Sequence, residues 1–161
     1  MPLSLPELWA LDHAAAFLHA RLADSEGARV LALAPADAGE AVLTRLGCAY
    51  FGLLSRPEAM PALRTVISIA ERMPEIGRKF YEAGPGRGIA TLRRYLESQV
   101  AAGILAVEDC ELAAAQFLDS CQSTWFKQLL FNFGDPPSDA RVAQIVGAAV
   151  HTFMAASRRR E

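Results

Sequence analysis

Residues 82–96 read EAGPGRGIATLRRYL, with Gly84, Gly86 and Gly88 running straight into apolar residues at helical spacing. If these glycines cradle a phosphate, the segment is a strand-to-helix loop and the chain is an α/β nucleotide binder. If they only punctuate helices, the fold is helical. A P-loop needs GxxxxGK followed by Ser or Thr, and counting from Gly84 puts Ile89 where the second glycine belongs. The dinucleotide pattern GxGxxG starts acceptably with Gly84 and Gly86 but meets Ile89 again, and it needs a preceding β-strand where RKFYEA reads as helix. The cluster is therefore a corner: one helix ends at Gly84, Pro85 blocks its continuation, and the next begins near Gly86.

The same reading extends in both directions. Upstream, PEIGRKFYEA forms a short helix after the break at Pro74, and residues 57–72 form a longer one with Met60, Leu63, Val66, Ile67 and Ala70 inward. Ser55 and Glu58 have the spacing of a capping box for that helix. Residues 37–54 predict another, with Val42, Leu43, Leu46, Tyr50, Leu53 and Leu54 on one face and Cys48 and Phe51 on a second. A first helix over residues 5–23 is expected from the Ser4/Glu7 capping pair and the stripe Leu8, Leu11, Ala15, Leu18 and Leu22. Downstream of the corner, residues 88–102 place Ile89, Leu92, Leu96 and Val100 inward and end at Gly103. Asp109 caps a helix of about five turns reaching Phe131, apolar on two sides. GDPPS stops it, and Ser138 caps a last helix to Ser157, with Val142, Ile145, Val146, Ala149, Phe153 and Met154 inward. The expectation is an all-α chain of six to seven helices without a sheet.

Length and composition bound what such a chain does. At 161 residues it fits one domain of common size, and 52% apolar with 21% charged residues is a globular composition. No apolar run reaches the roughly 18 residues of a membrane span, and the start MPLSLPELWALDHAAAF lacks a basic leader, so a cytoplasmic protein without membrane attachment is expected. Cys48, Cys110 and Cys121 are odd in number and without CxxC spacing, so neither disulfide nor zinc is expected. A net charge of −2 implies no general attraction to the phosphate backbone of nucleic acid.

Candidate chemistry is sparse. His13 and His19 are six apart, which misses the spacing that sets two metal ligands on one helix face. His151 reads as a surface or interface residue on the last helix, and Glu108, Asp109 and Glu111 crowd a helix start, where capping and the helix dipole account for them. No GxSxG elbow, HExxH helix or Cys–His pair occurs. No catalytic residue, metal or cofactor is expected, and the chain is not read as an enzyme. Arg64, Arg72, Arg78, Lys79, Arg87, Arg93 and Arg94 are interleaved with Glu71, Glu75, Glu82 and Glu97, the pattern of solvated faces with exchangeable ion pairs. Arg158, Arg159 and Arg160 suit the C-terminal end of a helix dipole.

In order, the segments ALRTVISIAERMPEIGRKFYEAGPGRGIATLRRYLESQVAAGIL, EDCELAAAQFLDSC and ARVAQIVGAAVHTFM resemble the C-terminal domain of TetR-type bacterial transcriptional regulators, in particular the AefR-like branch. The resemblance covers about residues 40–157 and rests on the order of an E-x-x-P-E step, a FYEAGP corner, a GIL loop with an acidic cap, and ELAAxQFL. It implies helices that form a small-molecule pocket and pair two subunits, while a separate N-terminal headpiece reads DNA. Residues 1–35 match only loosely, as a helix and loop, and 36–161 carry the ligand-binding and dimerisation domain. No headpiece sequence is recognised, and residues 1–60 carry only Arg21, Arg29, Arg45 and Arg56 as cations, so no DNA binding by this chain alone is expected. The functional expectation is an effector-sensing and dimerisation domain, the alternative being a stand-alone ligand- or partner-binding helical dimer.

Phe51, Phe80, Tyr81, Phe117, Trp125 and Phe126 would by themselves be core aromatics. The resemblance makes Cys48, Phe51, Phe117, Cys121 and Trp125 candidates for a pocket taking a hydrophobic effector, with Ser120, Gln122 and Thr124 as polar neighbours. A homodimer is expected because residues 109–131 and 139–157 are apolar over more than one stripe, and an exposed second stripe would be a sticky patch. Gly147 permits close helix approach there, with Val146, Val150 and Phe153 supplying contact area.

Overall fold

The computed structural model describes residues 39–158, which form seven helices: α1 Gly39–Leu54, α2 Ala59–Ala70, α3 Pro74–Ala83, α4 Pro85–Ala101, α5 Cys110–Gln122, α6 Phe126–Leu130 and α7 Asp139–Ser157. The expected helix over residues 5–23, with His13 and His19, lies outside the described residues, as do Arg159 and Arg160. No strand forms among the described residues. One isolated bridge, Leu105 with Arg158, ties the loop after α4 to the end of α7.

Local chemistry sets several helix ends. The Asp109 carboxylate accepts from the amides of Glu111 and Leu112 at 3.0 and 2.9 Å, two of the donors that a helix start leaves unpaired. Ser138 caps α7 by accepting from Arg141 N at 3.4 Å. α4 ends as expected at Gly103, which takes φ +74° while its amide bonds to Val100 O and that of Ile104 to Gln99 O, both at 2.9 Å. The Ser55/Glu58 capping box does not form: α2 starts at Ala59 and Glu58 makes no side-chain cap bond.

The corner at 84–88 is tighter than the sequence implies. Gly84 is the single residue between α3 and α4, and α4 begins at Pro85, where the missing N–H costs nothing. Gly86 has a packing reason: a Cβ there would lie 3.1 Å from Tyr81 O and 3.2 Å from the Tyr81 ring.

α1, α4, α5 and α7 enclose the core. Val42, Leu43 and Leu46 meet Leu92, Leu96, Ala114, Phe117, Leu118, Cys121, Val142, Val146 and Val150, all buried. α1 approaches its neighbours closely at Gly47, where a Cβ would fall 2.7 Å from Val146 Cγ1 and 3.2 Å from Cys121 Sγ. α2 and α3 pack on each other beside this core, and Met60, Val66 and Ile69 of α2 are buried. One stripe assignment changes: Ile67 is 56% exposed, whereas Ile69 is buried, and on α4 Tyr95 and Gln99 join Leu92 and Leu96 on the buried face. Ile67 lies one helical step past buried Val66, a difference that the breadth of an apolar face does not resolve.

Candidate functional site

The C-terminal half of α1 and the end of α5 carry the candidate pocket residues. Phe51 meets Trp125 edge to face with ring centroids 4.7 Å apart, and Trp125 meets Phe126 at 6.0 Å. The Trp125 indole Nε1 donates to the Cys121 carbonyl at 2.8 Å. Cys121 sits one turn beyond Phe117 on the same face of α5, and Phe117 contacts Phe153 of α7 edge to face at 5.6 Å. The structure thus brings Phe51, Cys121 and Trp125 into one cluster and sets Phe117 next to it, towards α7. Cys48 is exposed on the adjoining face of α1. Phe117, Cys121 and Trp125 are 1%, 1% and 3% exposed, so all three are closed off from solvent.

Polar groups border this aromatic cluster. Gln122 Nε2 donates to Tyr50 Oη across α1 and α5. Burial, reinforced by the Asp119 carboxylate and Cys121, pushes the Tyr50 phenol up to about 12, against the opposing effect of the Gln122 bond. Burial, with a contribution from Cys48, likewise pushes the Cys121 thiol up to about 12, so it is neutral at physiological pH and a poor nucleophile. The three described cysteines are free thiols. No group of three or more His, Cys, Asp or Glu among the described residues is arranged to hold a metal.

Two hollows lie elsewhere, on the outer face where the α3–α4 corner meets the start of α5. One, of about 140 Å³, is lined by Tyr81, Ile89 and Arg93 among others, and its neighbour, of about 330 Å³, by Tyr81, Asp109 and Leu112. Arg93 is tied to Glu111 at 3.1 Å and to Glu97 at 3.4 Å, so its charge is already partnered. Sequence reading missed Tyr95 and Gln99, whose phenol oxygen and side-chain amide oxygen are buried with no hydrogen-bond partner among the described residues. Their spacing of four on α4, in register with Leu92 and Leu96, was the available signal.

On α7 the expected interface residues divide. Val146 and Val150 are 1% and 6% exposed within the protomer and belong to its own core, and Phe153 is half-buried against Phe117. Gly147 faces outward, with no described residue within 4 Å of where its Cβ would be, beside exposed Ala143, Ala148 and His151.

This arrangement of helices accompanies a sequence match. Residues 41–158 match the family described as AefR-like transcriptional repressor, C-terminal domain. The chain belongs to this family. It carries the regulatory domain of a TetR-type transcriptional regulator, and proteins of that family are regulators rather than enzymes. Two solved structures share the AefR-like domain's fold. One is described as a TetR-family transcriptional regulator from Mesorhizobium loti MAFF303099, with a TM-score of 0.78 and 22% identity, over 95% of this chain and 73% of that one. The other is the flavonoid-responsive regulator FrrA, with a TM-score of 0.78 and 23% identity, over 94% and 74%. A comparison with curated proteins finds no match. No described helix of the AefR-like domain is long and apolar enough to cross a membrane.

Proposed function

We propose that this domain senses an apolar aromatic molecule between α1, α5 and α6 and passes the signal through a homodimer. The supporting observation is the Phe51–Trp125 edge contact beside the Tyr50–Gln122 pair: flat apolar surface next to a few fixed polar groups is what an aromatic ligand uses for affinity and orientation. Cys48, Phe51, Phe117, Cys121 and Trp125 are the residues assigned to it. FrrA is named for its response to flavonoids, and flavonoids are therefore the first compounds to test.

The dimer is assigned to the outward face of α7 around Gly147, with Val146 and Val150 bracing that helix from inside and Phe153 at its margin. Residues 36–161 are assigned as the sensing and pairing unit, and residues 1–35 as an N-terminal segment with a weak match to the family. The domain acts in the cytoplasm, catalyses no reaction, needs no cofactor and reads no DNA through these residues alone.

The test is a flavonoid titration of the Trp9→Phe variant, which leaves Trp125 as the fluorophore, together with sedimentation of the same sample. A saturable change in Trp125 emission that Phe51→Ala weakens, in a sample of dimer mass, is the expected result. An unresponsive Trp125 across flavonoids and other aromatic compounds, in a monomer, would reject the reading.

A further inference from the structure

The segment from Cys110 to Leu130 contains neither glycine nor proline, and its pattern specifies one continuous helix. The structure breaks it. α5 stops at Gln122, α6 restarts at Phe126, and between them Thr124 adopts φ +76°. A β-branched residue in the left-handed region is an outlier, because its Cβ crowds the neighbouring carbonyl. Such strain persists only where the surroundings hold it.

What holds it here is Trp125. Its ring is buried against Phe51, and its Nε1–H donates to Cys121 O. In an unbroken helix that carbonyl would instead accept from the backbone N–H of Trp125, four residues on. The same acceptor is therefore satisfied in either arrangement, so the backbone bond and the indole bond are interchangeable. A second restraint comes from α2: Arg64 Nη1 donates to Leu129 O at 3.0 Å and Leu130 O at 3.1 Å, holding the end of α6.

We propose that residues 122–126 are a two-state joint. It is bent while the Trp125 ring occupies its place on Phe51, and straightens into a single α5–α6 helix when the ring leaves. Straightening draws the end of α6 away from Arg64 and so couples the aromatic cluster to α2. The joint rests on the sensing reading only for what displaces the ring, an aromatic ligand competing for Phe51.

Two ligand-free measurements on the full chain test the joint apart from that reading. Thr124→Gly raises the melting temperature, because glycine accepts the left-handed conformation. If residue 124 is helical in solution, the same change lowers it, as Gln116→Gly on exposed α5 does, and the proposal fails. Trp125→Ala slows amide hydrogen exchange over residues 123–127 several-fold, because the backbone bond to Cys121 O forms. A ring that merely fills space would on removal speed exchange, and that result also overturns the proposal. Should Trp125→Ala fail to fold, the sign of the Thr124→Gly shift decides. Success here with no ligand response would leave the joint standing and remove the sensor.

Discussion

Replacing Gly47 by alanine should destabilise the domain even though alanine is the better helix former. In the interior of α1 the exchange gains about 1 kcal/mol of helix propensity. Against it stands the space at the crossing with α7 and α5. The new Cβ would lie 2.7 Å from Val146 Cγ1 and 3.2 Å from both Val146 Cγ2 and Cys121 Sγ, where carbon contacts settle at roughly 3.5–4.0 Å. Neither neighbour yields easily. Val146 and Cys121 are each 1% exposed, and a β-branched valine in a helix has one strongly preferred rotamer. Overpacking of this kind costs about 1–3 kcal/mol, which leaves a net loss of about 1 kcal/mol and a fall of ~2–4 °C in melting temperature. Thermal and urea unfolding of Gly47→Ala measures it. The double variant Gly47→Ala/Val146→Ala should be less destabilised than the sum of the two single variants, because each relieves the other's defect. A rise in stability for Gly47→Ala, with additive behaviour in the double variant, would refute the close approach.

Gly147→Ala, at a position with no described residue within 4 Å, should raise protomer stability by about 1 kcal/mol, whereas Gly147→Arg should leave the protomer folded and shift sedimentation from dimer towards monomer; an unchanged dimer would place the pairing surface elsewhere. Asp109→Ala should cost about 1 kcal/mol in urea unfolding by removing the cap of the two amides that open α5, and Asp109→Asn should recover most of it. Alkaline stability should fall as well. Cys121 and Tyr50 are both raised to about 12 in the folded chain, from ordinary values of 9.0 and 10.0. Each therefore ionises more readily in the unfolded chain, so its contribution is complete below pH 9 to 10 and is lost as pH rises towards 12. Cys121→Ala should remove the lower-pH part of that decline in a series of urea melts at rising pH.

Much of the fold was legible because it is local. A carboxylate at 109 and a hydroxyl at 138 cap the amides two to three residues ahead wherever the helix is packed, and Gly103 takes the left-handed turn at the end of α4 for want of a side chain. The spacing of Leu92 and Leu96 specified an inward face in the same way, and the order of short signatures around the glycine corner pointed to the family. The tertiary structure decided what depends on partners distant in sequence. Amphipathic breadth showed that α7 has apolar surface to cover, but the neighbours at Gly47 and Cys121 determined that Val146 faces the protomer's own core and Gly147 faces out. No residue between 110 and 130 announces a break, since the bend at Thr124 is held by an aromatic ring on α1, some seventy positions away, and by an arginine on α2. Helix ends follow from neighbours along the chain, whereas packing partners and bends depend on contacts that exist only once the helices have met.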